Sequence, residues 1–83
     1  ELPSILPFYQ KFTDEDPFSA PAWYNLGILY DKLNQYENAL QAFDYATLSQ
    51  EDFIPAYLEM GHLYMNLKNY KEAQKSYTNA LMY

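Results

Sequence analysis

The string Trp23-x-x-Leu26-Gly27-x-x-Tyr30 returns 34 positions later as Tyr57-x-x-Met60-Gly61-x-x-Tyr64. Behind each copy lies a second matched set: Ala39, Phe43 and Ala46, then Ala73, Tyr77 and Ala80. Pro21-Ala22 recurs as Pro55-Ala56, Leu29 as Leu63, Leu33 as Leu67 and Tyr36 as Tyr70. A fixed period carrying the same small and aromatic residues means one supersecondary unit stacked on its copy. Such stacks build long surfaces for holding other proteins and seldom build catalytic pockets.

Local patterning says what the unit is. Between Ala22 and Leu33 the large apolar residues fall at 23, 26, 29, 30 and 33, steps of three and four that mark one face of an α-helix. Ser19 is the expected N-cap, with Pro21 in the first turn, where a missing N–H costs nothing. Asn34-Gln35 breaks the pattern, and Asn tolerates the left-handed backbone of a tight turn. A second helix, about Tyr36 to Leu48, is expected to bury Tyr36, Ala39, Leu40, Phe43 and Ala46, with Thr47 at its margin. Asp52 is the expected cap of a third helix, with Pro55 in its first turn, reaching Leu67. Lys68-Asn69 makes the next turn and a fourth helix runs from Tyr70 towards the end. Connections this short make neighbouring helices antiparallel.

Gly27 and Gly61 fall mid-helix, where each costs about 1 kcal/mol relative to Ala. Two such costs at one phase need a common cause: a partner helix crosses there and leaves no room for a Cβ. The alanines supply small faces opposite, while Tyr30, Phe43, Tyr64 and Tyr77 fill the space between crossings. The first nineteen residues obey the same phase, since Ile5, Tyr9 and Phe12 stand 34 positions before Ala39, Phe43 and Ala46. They read as the second helix of a preceding unit, a short helix of about Ile5 to Phe12 capped by Ser4 with Pro7 in its first turn. Thr13-Asp14-Glu15-Asp16-Pro17 closes it.

These residues resemble the tetratricopeptide repeat (TPR) family, a helix–turn–helix unit of about 34 residues with an aromatic, Leu-Gly, Tyr, Ala and a second aromatic at set spacings. One copy spans 20–53 and matches through Trp23, Leu26, Gly27, Tyr30, Ala39, Phe43 and Ala46. The next spans 54–83, with conservative swaps at Tyr57, Met60 and Tyr77. Residues 1–19 are the second helix and linker of a truncated unit, closed by Pro17 where the family has a proline. Glu51 stands at that place one unit later. The resemblance implies an all-α solenoid of about five antiparallel helices wound into a right-handed superhelix. It also implies a concave groove, lined by the first helix of each unit, that holds a peptide or partner helix.

On that geometry the groove residues are Tyr24, Asn25, Ile28, Asp31 and Lys32, then Leu58, Glu59, His62, Met65 and Asn66. Tyr24, Ile28, Leu58 and Met65 offer apolar contact, Asn25 and Asn66 suit a peptide backbone, and Asp31 and Glu59 favour a basic residue. One subgroup of the family grips the C-terminal carboxylate of heat-shock chaperones with Lys, Asn and Arg. This chain has no Arg and brings Lys32 alone to that face, so the clamp is not expected. Of ten tyrosines, Tyr9, Tyr30, Tyr36, Tyr57, Tyr64, Tyr70 and Tyr77 hold repeating core or turn positions, while Tyr24, Tyr45 and Tyr83 stay open.

Composition narrows the partners. Five Lys against eleven Asp and Glu give a formal charge of -6. Nucleic acid and anionic membrane would be repelled, since both attract through Lys and Arg. A neutral to basic protein or peptide remains. No apolar run approaches the roughly 18–20 residues that span a bilayer. The absence of Cys fits a reducing cytoplasm. His62 and Glu59 are helical neighbours, but a closed metal site needs about three or four ligands and no second His or Cys exists. Neither a paired nucleophile and base nor a glycine-rich phosphate loop is visible. The expectation is a non-enzymatic interaction module without cofactor or metal. The alternatives are a regulatory or recruiting segment of a larger enzyme, and a secretion-type chaperone. Exposed ends, with Leu2, Ile5, Leu6, Leu81, Met82 and Tyr83 facing water, imply self-association.

Overall fold

A computed structural model describes residues 2–83, with side chains from Pro3 onward. Five helices follow one another: α1 Leu2–Glu15, α2 Ala20–Lys32, α3 Tyr36–Ser49, α4 Ile54–Asn66 and α5 Tyr70–Met82. Among the described residues there is no strand. Each helix packs on its neighbours in the chain, most extensively in the pairs α2–α3 and α4–α5. The result is the all-α repeat stack that the 34-residue period predicts.

The turns inside the two pairs are copies of each other. Asn34 and Lys68 both adopt φ of 61°. The Gln35 N–H reaches back to the Tyr30 carbonyl at 2.9 Å, and the Asn69 N–H to the Tyr64 carbonyl at 2.8 Å. Asn34 and Lys68 N–H groups bond Asp31 and Met65 carbonyls at 2.9 and 3.0 Å. This paired closure is the Schellman end, which satisfies carbonyls that a helix C-terminus leaves open. Asn34 suits it, whereas the left-handed residue of the second turn is Lys68, which has no such tolerance. Asn69 instead caps α5, its side chain accepting from the Glu72 N–H at 3.4 Å.

The joints between pairs repeat as well. The Trp23 indole N–H donates to the Pro17 carbonyl at 2.8 Å, and the Tyr57 hydroxyl to the Glu51 carbonyl at 2.7 Å. Both acceptors lie six residues upstream of the ring. Ser19 caps α2 as expected, its hydroxyl accepting from the Ala22 N–H at 3.3 Å.

Several local expectations need correction. Helix α1 starts at Leu2 and places Pro7 in its second turn. Pro7 forfeits the bond to the Pro3 carbonyl, but both prolines are exposed, so water can reach the freed group. The helix also runs on to Glu15, and Thr13 is 4% exposed inside it, its hydroxyl donating to the Gln10 carbonyl at 2.9 Å. The cap of α4 is Phe53, without a side-chain bond; Asp52 turns its carboxylate towards Gln50 at 3.1 Å. Tyr36 opens α3 with its hydroxyl donating to Asn34 at 2.9 Å, and it is exposed rather than buried. Glu1 and the Leu2 side chain lie outside the described residues. Ile5, Leu81, Met82 and Tyr83 are exposed as expected, while Leu6 is half-buried.

The core runs along the seams: Ala20, Leu26, Leu29, Ala39, Phe43, Ala46, Ala56, Leu63, Ala73 and Ala80 are buried. A Cβ built on Gly27 would lie 2.6 Å from the Phe43 ring, and one on Gly61 would lie 2.6 Å from the Tyr77 ring. The notches therefore receive rings rather than a crossing backbone. Ala39 and Ala46, both 0% exposed, flank the Phe43 ring along α3 and let α2 come close.

Two outcomes follow for stability. Gly27→Ala gains about 1 kcal/mol of helix propensity but forces the fully enclosed Phe43 ring to move, which costs about 1–3 kcal/mol. Denaturant midpoints should therefore fall, and fall further than for Gly61→Ala, whose facing Tyr77 is only half-buried. Lys68→Gly, by contrast, relieves a left-handed lysine and should raise stability by about 0.5–1 kcal/mol in the same assay.

Candidate functional site

Helices α2 and α4 carry all ten candidate groove residues, and the structure sorts them into three groups. Tyr24 is half-buried, its ring 5.9 Å from that of Phe43 and 5.6 Å from that of Phe53. Burial pushes the Tyr24 phenol above its ordinary value, and the Glu59 carboxylate pushes it further. Tyr24 on α2 and the half-buried Glu59 on α4 are thus brought together across the two helices. Tyr24 is as much a packing residue as a surface one.

A second group faces α1. Asn25, Ile28 and Lys32 line a recess of about 310 Å³ together with Ile5, Tyr9 and Leu29. Asn25 and Tyr9 also border an adjoining recess of about 370 Å³ with Phe12, Glu15, Asp16, Ser19 and Ala22. The two form one trench along the α1–α2 seam. The Gln10 side-chain amide donates to the Tyr30 hydroxyl at 3.1 Å across that seam. Sequence reasoning assigned Ile5, Tyr9 and Phe12 to packing by phase and did not anticipate the trench. No residue pattern marks it, because it arises between two helices.

The third group is the exposed side of α4. Leu58 and Met65 are 41% and 45% exposed, His62 and Asn66 are exposed, and the His62 ring meets Tyr77 edge-on at 5.8 Å. Leu58, His62 and Met65 follow one another at steps of four and three, so they share a stripe. Asp31, half-buried, sits in the last turn of α2. Lys32 and Asp31 therefore set opposite charges at adjacent positions, while Glu59 lies next to Leu58 on α4.

The three tyrosines without a repeat position all have ring partners. Tyr45 lies 4.7 Å from Trp23, and Tyr83 stacks on Tyr57 at 5.8 Å with 10° between planes. The Tyr83 hydroxyl donates to the Glu51 carboxylate at 2.9 Å. Among the described residues no cluster of three or more metal-ligating side chains occurs. No helix of the described residues is long and apolar enough to cross a membrane.

Burial raises the phenol pKa of Tyr24, Tyr57 and Tyr64, with acidic neighbours adding to it. The unfolded chain ionises these phenols first, near their ordinary value of about 10. Their contribution to stability is therefore complete below about pH 10 and is lost as pH rises through the higher folded values. Denaturant midpoints measured against pH should be level through neutrality and drop in the alkaline range, and Glu59→Gln should bring the Tyr24 titration, followed by tyrosinate absorbance, to lower pH.

Comparison with known proteins agrees with this architecture. Sequence models described as tetratricopeptide repeat match residues 8–41 and residues 54–83. No curated protein sequence matches the chain. Among solved structures, MamA is 27% identical with a TM-score of 0.94, covering 99% of this chain and 48% of its own. A second MamA structure gives 27%, 0.91, 99% and 45%. The second TPR of Spaghetti (RPAP3), bound to the HSP90 peptide SRMEEVD, is 21% identical with a TM-score of 0.87, covering 98% of this chain and 75% of its own. This chain thus spans about half the length of the MamA chains. Two tetratricopeptide repeat matches, on a five-helix stack with these neighbours, make the chain a member of the tetratricopeptide repeat family.

Proposed function

We propose that this chain is a protein-binding module whose α2–α4 face holds a neutral to basic peptide or helix. The reading rests on one observation above the others. Helix α4 has its packing face filled by α3 and α5, yet keeps Leu58, His62 and Met65 in a solvent-facing stripe. A row of apolar and ring side chains that stays exposed, although the His62 ring also meets Tyr77 edge-on, is what a binding surface offers, and Met and ring residues adapt to varied guests.

Charge sets the class of guest. Glu59 lies beside the stripe on α4, Asp31 adds a second acid on α2, and Lys32 is the sole cation among the ten residues, so a basic side chain beside apolar ones is favoured. The HSP90 peptide held by the Spaghetti domain is acidic, and this face lacks the cations that would suit such an end. Within this reading the units are 20–53 and 54–83, each giving its first helix to the surface, and the work done is recruitment rather than chemistry.

The test is titration of a peptide panel graded in charge, with heat or anisotropy as readout. Basic-apolar peptides should bind best. Leu58→Ala and Met65→Ala should each weaken binding about tenfold, equivalent to about 1.4 kcal/mol, with the fold unchanged. Glu59→Gln should weaken basic peptides selectively. Equal affinity in all three variants would remove this surface from consideration. Tyr24→Ala is a poor probe, because its ring also packs on Phe43 and Phe53.

A further inference from the structure

The chain has one histidine and no cysteine. Histidine is the side-chain type whose charge ordinarily changes between pH 5 and 8, so this protein carries a single such side chain. It stands in the middle of the α4 stripe. Leu58 lies four residues before His62 and Met65 three after, on the same face of the helix. All three are exposed. A guest that covers Leu58 and Met65 therefore covers the imidazole as well.

The ring is supported from behind. Tyr77 of α5 meets it edge-on at 5.8 Å, and Tyr77 is itself seated where Gly61 lacks a Cβ. The charged groups around it are few. On its own helix Glu59 lies three residues earlier, half-buried, with its carboxylate acting on the Tyr24 phenol of α2. Helix α2 adds Asp31 and Lys32 in its last turn. Helix α3 brings Asp44, whose carboxylate acts on Tyr57 and Tyr64. At about 100° per residue, those two tyrosines lie roughly 140–160° round α4 from His62, so Asp44 belongs to the other side.

We propose that His62 sets the charge class of the guest: neutral, it admits a basic-apolar segment, and protonated, it turns the stripe towards an acidic-apolar one. The inference rests on the α4 stripe being the binding surface. The ten candidate residues carry two acids and one lysine, and a proton on His62 brings the signs level. An imidazolium covered by an apolar guest loses water, a cost offset only where the guest brings an opposite charge. A basic side chain laid beside it is repelled instead. Linkage fixes the sign: a basic guest expels the proton and an acidic guest retains it. Affinity for the basic guest is thus level above neutrality and falls as pH drops through the histidine range, while affinity for the acidic guest rises.

Calorimetric titration at pH 5.5 and pH 8, at fixed ionic strength, tests this with two peptides. Both carry the same apolar residues, one with Lys and the other with Glu at the remaining positions. From pH 8 to 5.5 the Lys peptide should weaken, and the Glu peptide tighten, by about threefold to tenfold, the scale of one charge pair near a surface. His62→Gln should bind each peptide equally at the two pH values, and His62→Lys should favour the Glu peptide at both. In proton NMR the imidazole of the parent should titrate at lower pH with the Lys peptide bound and at higher pH with the Glu peptide. Binding that depends on Leu58 and Met65 but not on pH, or a pH dependence that survives His62→Gln, would overturn this proposal while the stripe still stands as the binding surface. No binding of either peptide, or binding indifferent to Leu58→Ala and Met65→Ala, removes both.

Discussion

Everything in this molecule depends on a ring entering a notch. Phe43 fills the space where Gly27 lacks a Cβ, and Tyr77 does the same at Gly61. A glycine mid-helix is a liability taken alone, and two are accepted because each lets its partner helix come within side-chain reach of the backbone. Ala39, Ala46 and Ala73 beside those rings keep the approach close, and they are essentially without solvent contact. Once two helices are set at that distance, the short turns between them have one closed form, and both copies use it.

The same packing decides what is left over for binding. A first helix in this arrangement spends one side on its own partner and another on the neighbouring pair, so only a narrow strip remains free. That strip is wide on α4, where Leu58, His62 and Met65 stand clear. On α2 it is narrower, because Tyr24 and Ile28 lean back towards the core. The chain therefore offers unequal halves of one face, with the acidic Glu59 and the Tyr24 phenol at the line where they meet.

The fold was legible in the sequence because its determinants are side chains of fixed size at a fixed period. Gly27 with Phe43, and Gly61 with Tyr77, are visible as letters before any coordinates exist. What the letters did not convey was which atoms met. The notches were expected to face a backbone and instead face rings, since spacing gives the crossing point but not the depth of approach. Helix ends were less legible for a similar reason: Asp52 has a capping side chain, yet the chain direction at Phe53 carries it away from the helix start. Pro7 was read as a first-turn residue behind a Ser4 cap, but the helix starts at Leu2, since an exposed proline one turn further in loses only one bond to water-accessible backbone. The trench beside α1 was hidden because it arises from a relation between helices, whereas the stripe on α4 could be found by counting.

The tie between each ring and the carbonyl six places before it has a consequence for how such a chain can drift. Trp23 and Tyr57 differ as donors, and Pro17 and Glu51 differ as acceptor residues, yet the bond lengths are 2.8 and 2.7 Å. What receives the proton is main chain, which every amino acid brings. The hinge between successive hairpins is thus indifferent to the identity of its own residue. Substitutions can accumulate there, altering charge or stickiness on the outside, while the pitch from one hairpin to the next stays as it was.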